Sequence, residues 1–315
     1  MTETPNDLSE AYGWGGDGSD LHDPVAAHVR AALASTDAPY PAPLDQLLKL
    51  GDPREGSGDK LAGLEITQEH VPDLVRMARD RALNTGQSDS TEVWAPVHAL
   101  DALAKLDASA HVDELVPLFD VDTDIFGERL SAVLVAIGAA ALAPLRAYIQ
   151  DPTRWIYGRA NASDMLPKFV EHHPELRGDV VQIISDTLAQ QKGDYPELNG
   201  MIMGDLLELK AVEALPVIRH AFERDLIDET LSGDWGTALK ELGQPVDKHD
   251  PLVHRSRRRW DAKKAEMRAM LPPAWRPEPE AKPAAAAPKQ NPSAARKNKR
   301  KMAASSRKAN KKKRK

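Results

Sequence analysis

From about residue 62 to residue 243 the apolar residues recur at helical spacing and almost never alternate. A chain patterned in this way buries itself as helices and not as a sheet. Val112, Leu115, Val116 and Phe119 share one helical face, as do Leu142, Leu145 and Ile149, and likewise Leu215, Ile218 and Phe222. Apolar residues make up 41% of the chain and aromatics only 5%. The core must therefore be built from Leu, Ala, Val and Ile, which suits packed helices. The expected fold class is all-α.

The helices come in pairs of one shape. In LDASAHVDELVPLF (106–119), IGAAALAPLRAYI (137–149) and LKAVEALPVIRHAF (209–222) one helix ends, small residues turn the chain, and a second helix begins. The preceding helices are VWAPVHALDALAKL (93–106), ERLSAVLVAI (128–137) and NGMIMGDLLEL (199–209), and one further pair spans 159–174 and 176–190. Pro117, Pro144 and Pro216 occupy equivalent places, one repeat and then two repeats apart. Pairs repeating at this irregular length predict an α-solenoid of HEAT type over 22–243, each pair covering its apolar faces by stacking on its neighbours. Residues 1–21, which contain YGWGGDGSD, predict a flexible lead-in. Residues 244–271 predict a basic helical extension, and 272–315 a disordered Pro/Ala linker and Lys/Arg-rich tail.

Five stretches carry a resemblance: WAPVHALDALAKL, IGAAALAPL, HPELRGDVV, ELNGMIMGDLLELKAVEALPVIRHAF and IDETLSGDW. Together they resemble a bacterial family of uncharacterised HEAT-like repeat proteins, related to the repeats first named from phycobilisome lyases. The resemblance covers roughly residues 90 to 243. It implies an α-solenoid and no established reaction. Many members of that family end in a zinc knuckle like the one at the C-terminus of the SecA translocation motor. This chain has no cysteine, so no zinc function carries over, and no disulfide or cysteine nucleophile is open to it.

The net charge of −6 conceals two opposed parts. Residues 281–315 hold 14 Lys and Arg and no acidic residue, leaving 28 basic against 48 acidic residues in the other 280. An acidic body with a basic tail is the pattern of a folded domain carrying an interaction arm. The candidate nucleic-acid contacts are Arg296, Lys297, Lys299, Arg300, Lys301, Arg307, Lys308, Lys311, Lys312, Lys313, Arg314 and Lys315. Eight such phosphate contacts give a log–log salt slope of about −7 on duplex DNA and about −6 on single strands. No aromatic follows Trp275, so the tail has nothing to stack on bases, and the expected target is phosphate backbone in RNA, DNA or the ribosome. The runs KNKRK and KKKRK also match nuclear-import signals, which would count only in a eukaryote.

The remaining motifs are weaker. FDVDTDIFGE (119–128) sets Asp120, Asp122 and Asp124 at the first, third and fifth calcium-loop positions, but the glycine required at the sixth is Ile125 and the twelfth-place Glu is Ser131, so the motif fails. His172 with His173, and His22 with His28, lack metal-ligand spacing and a third ligand. In DETLSGDW, Asp228 and Glu229 are acidic, Gly233 permits a sharp turn, Asp234 can cap a helix and Trp235 can close the end of the repeats. Asp228, Gly233, Asp234 and Trp235 are therefore the candidate surface or closure of the helical body. No nucleophile elbow, phosphate loop or dinucleotide fingerprint is present. The opening MTETPNDLSE lacks a secretory n-region and h-region, and the uncharged run Leu130–Leu145 falls short of the roughly 18 residues of a membrane span.

The expectation is a cytoplasmic, non-enzymatic binding protein with no cofactor, metal site or membrane partner. Its concave face would take a protein partner and its tail nucleic acid or the ribosome. A pure protein-interaction scaffold with a solubilising tail is the first alternative. Phycobilin-lyase-like activity, the second, would rest on a family name and on no site in the sequence.

Overall fold

The computed structural model describes residues 24–55, 59–86, 90–121 and 124–270. The proposed lead-in 1–21, His22, Asp122 and every tail residue named above lie outside them, as does the Asp124 side chain. The described chain is all-α, and its only β pairing is an isolated bridge between Ala34 and Asp80.

The α-helices are α1 (Pro24–Ala32), α2 (Val71–Ala78), α3 (Arg81–Asn84), α4 (Ala95–Leu103), α5 (Val112–Leu115), α6 (Asp124–Ile137), α7 (Leu142–Gln150), α8 (Ile156–Asp164), α9 (Leu166–His172), α10 (Arg177–Gln190), α11 (Pro196–Glu208), α12 (Leu215–Glu223), α13 (Glu229–Ser232), α14 (Trp235–Glu241) and α15 (Pro251–Met270). Short 3-10 turns lead into several of them. Proline repeatedly opens a helix, as Pro72, Pro96, Pro167, Pro196 and Pro216 do here. Its missing N–H would have no partner at that place anyway. The chain divides into two compact units between Gln190 and Gln191.

In the first unit α2 packs on α4, α4 on α6, and α7 on α8 and α10. Leu74, Leu100, Leu103, Leu115, Leu130, Leu145 and Phe169 are fully buried between them. All seven apolar residues read from the sequence at 112–149 are buried as well, except that Val116 and Phe119 sit in a 3-10 turn that follows α5. Gly138 turns the chain between α6 and α7 with φ of 72°, and the His173 ring lies under it, donating to Val135 O at 2.9 Å. The 25 residues Phe126–Gln150 extend the run Leu130–Leu145 at both ends and are long and apolar enough to cross a membrane by length and composition. Half of the most apolar window of that stretch is buried inside the unit.

Asp120, first residue of the failed calcium loop, points inward. Its Oδ1 accepts from the Tyr148 hydroxyl (2.8 Å) and its Oδ2 from Arg154 Nη1 (2.6 Å). Burial pushes its carboxyl up, while those two donors pull it back. Gly158 makes room for this cluster, since a Cβ there would reach 2.4 Å from the Tyr148 oxygen. Among the described residues no group of three or more His, Asp or Glu is placed to hold a metal ion.

In the second unit α11 carries Leu198, Ile202, Met203 and Leu206 into a core shared with Ile218, Phe222, Trp235 and Ala238. Gly200 and Gly204 lie one turn apart on α11 and let α13 come close. A Cβ on Gly200 would meet Asp228 O at 2.9 Å, and one on Gly204 would meet Ser232 Oγ at 3.1 Å.

Candidate functional site

The 225–235 turn and the long helix α15 form one charge-paired junction in the second unit. The turn is set by backbone demands. Asp225 adopts φ of 58° and Gly233 φ of 88°, where a side chain at 233 would collide with Thr237 at 2.7–2.9 Å. Asp228 caps α13 by accepting from Thr230 N (2.9 Å), and Asp234 caps α14 by accepting from Thr237 N (2.7 Å). Each cap of this kind contributes about 1 kcal/mol. Trp235 is 3% exposed and packs on Phe222 with ring centroids 5.7 Å apart. Its indole N–H donates to Asp250 Oδ2 at 3.3 Å, and the Arg219 guanidinium lies 5.8 Å over its ring.

Against this turn lie the cations of α15. Arg257 Nε pairs with Asp234 Oδ2 at 2.7 Å, and Lys263 Nζ with Asp228 Oδ1 at 2.9 Å. Arg259 donates to Glu229 Oε1 through Nε (3.0 Å) and Nη2 (2.6 Å) and also pairs with Asp225. Arg255 donates to the carbonyls of Phe222 (3.0 Å) and Glu223 (2.9 Å), satisfying the end of α12. Ser256 Oγ accepts from the Trp235 amide at 3.1 Å.

The electrostatics follow from burial. Glu229 is 1% exposed, and burial pushes its carboxyl up to about 7, with Asp234 and Asp228 pushing the same way against Lys263 and Arg255. The two charge-assisted bonds from Arg259 oppose that push and favour the ionised form. Burial correspondingly pulls Arg259 below its ordinary value. For Asp228 burial also acts upward, but the bonds from Thr230 and Lys263 outweigh it and hold the carboxyl below the ordinary aspartate value.

The four turn residues named from the sequence thus meet in one place: Asp228 and Asp234 as caps, Gly233 as the turn, Trp235 in the core. The reading from sequence did not include Glu229's partner or the other α15 cations. One signal was available, because Arg255, Arg259 and Lys263 recur every fourth residue beside Leu252 and Ser256 on one helical face. The carboxylates of the junction face cations of the same chain. A separate surface cavity of about 550 Å³ in the first unit is lined by Lys105, Leu106, Asp107, Ser109, Ala136 and Ile137 among others.

Compared with family models, with curated proteins and with solved structures, the chain matches none.

Proposed function

We propose that the chain is a non-enzymatic binding protein whose basic tail, Arg296 to Lys315, attaches it to the phosphate backbone of nucleic acid, free or in the ribosome. The helices would stack as HEAT-like pairs in an α-solenoid whose concave face takes a protein partner, in the cytoplasm. One observation carries the reading: 14 Lys and Arg without a single Asp or Glu over 281–315, on a chain whose remaining residues are strongly acidic. The acidic body repels a polyanion, so the tail must make the contact. The junction strengthens the assignment. Arg255, Arg257, Arg259 and Lys263 are engaged with groups of their own unit, so in this state they are poorly placed to compete for phosphate.

The test is binding of RNA and of duplex DNA by the full chain and by a chain ending at Glu280, each across a salt series. The reading expects steep salt dependence for the full chain and its loss on truncation. No binding by either at about 100 mM salt, where phosphate contacts still show, leaves the scaffold reading. That reading has the cavity beside Lys105 and Leu106 in its favour, since a second hollow of about 160 Å³ lined by Leu61, Leu64 and Ile66 adjoins the same two residues.

A further inference from the structure

We propose that the cationic face of α15 is a second phosphate-binding surface, masked by the 225–234 carboxylates and exposed by exchange when nucleic acid arrives. The inference rests on the tail reading and extends it to the same class of partner.

The masking groups stand where phosphates would. Guanidinium and ammonium groups bind carboxylate and phosphate oxygens by the same charge-assisted bonds. Asp225, Asp228, Glu229 and Asp234 present a row of such oxygens to Arg255, Arg257, Arg259 and Lys263. The cations are within reach of solvent: the side chains of Arg255, Arg257 and Lys263 are 42%, 47% and 44% exposed. Arg258 and Lys264 are exposed on the same helix and would lengthen the cationic surface.

The footing of the helix is narrow. Of its 20 residues only Leu252 and Ser256 are buried, both in the first two turns. Beyond them α15 is held mainly by ion pairs, which salt and competing anions weaken. It can therefore pivot about its buried end. Lifting Arg257 to Lys263 admits water to Asp234 and Glu229, so no carboxylate is left both buried and unpaired, the arrangement that makes breaking such pairs costly. A polyanion already held by the tail sits on the same chain as the helix, so the exchange is intramolecular and favoured by effective concentration.

The experiment is carbodiimide labelling of carboxylates in the full chain, read by mass spectrometry, without and with an oligo(U) RNA or a DNA duplex. Exchange predicts that bound nucleic acid raises labelling at Asp228 and Glu229 several-fold, whereas simple coverage of a surface lowers it. Asp225→Asn is the companion variant, since its side chain is 58% exposed and asparagine tolerates the same backbone. It should bind oligo(U) more tightly, with a slope steeper by up to about 1.4, because Arg255 and Arg259 each lose one masking carboxylate, Arg259 keeping Glu229 and Arg255 the Phe222 and Glu223 carbonyls. If nucleic acid binds the full chain while labelling at Glu229 stays flat and Asp225→Asn changes neither affinity nor slope, the helix cations are internal struts and only the tail binds. If the full chain binds no nucleic acid at all, the tail reading and this one fall together. The labelling needs no variant, so instability of Asp225→Asn would not rescue the idea.

Discussion

Arg259 holds Glu229 by two hydrogen bonds to a single oxygen, Nε at 3.0 Å and Nη2 at 2.6 Å, across 30 residues of chain. Replacing Glu229 with Gln keeps the shape and removes the charge. Breaking a fully buried pair costs about 3–5 kcal/mol. Here Arg259 is 28% exposed and keeps Asp225, so a loss of about 2 kcal/mol is expected. Urea unfolding followed by tryptophan fluorescence measures it, and an unchanged midpoint would show that the pair does not hold the junction.

Gly233→Ala places a methyl group against Thr237 at a φ of 88°. Strain of this kind costs on the order of 1–3 kcal/mol. The variant should melt several degrees below the parent. Equal melting temperatures would mean that the turn relaxes without strain.

Acid should weaken the second unit through Asp250. Burial acts upward on this carboxyl, but bonds from the Leu252 amide, Arg219 and Trp235 outweigh it and hold it below its ordinary 3.8. The unfolded chain therefore takes up the proton first as pH falls. The stability Asp250 contributes is complete above 3.8 and is lost as pH falls through the lower folded value. Stability curves from pH 6 to pH 2 for the parent and Asp250→Asn should converge at the acid end. Parallel curves would remove Asp250 from the account.

Ending the chain at Asn310 removes Lys311, Lys312, Lys313, Arg314 and Lys315. If each meets a phosphate, the salt slope on single-stranded RNA becomes shallower by about 3.5. An unchanged slope would assign the contacts to residues 296–308.

The parts of this fold legible in the sequence are those encoded by near neighbours. The faces of α7 and α12 follow from apolar residues three and four apart, and the caps at Asp228 and Asp234 follow from an acidic residue two or three places before a threonine. The division at Gln190 leaves no comparable mark, because it reflects the density of contacts over the whole chain. The 3-10 turn at Val116–Asp120 was hidden too, since its apolar spacing fits an α-helix equally well. The junction was half visible. That α15 is a basic helix could be read from its composition, but its pairing with the acidic turn joins residues 21 to 35 positions apart, beyond any local periodicity. The tail stands apart again, because its charge is legible in the sequence and nothing in that charge names a partner.

The Trp235 amide is answered by the Ser256 hydroxyl, so α15 carries, 21 residues further along the chain, the capping partner of the first residue of α14. The basic helix is therefore not a portable appendage. Grafted onto another carrier, it would bring a hydroxyl with no amide to meet and arginines with no carboxylates to face. A carrier from which it was cut would lose the lid over its tryptophan. What the helix needs travels with it only when the turn at 225–235 and the helices that turn packs on are carried along.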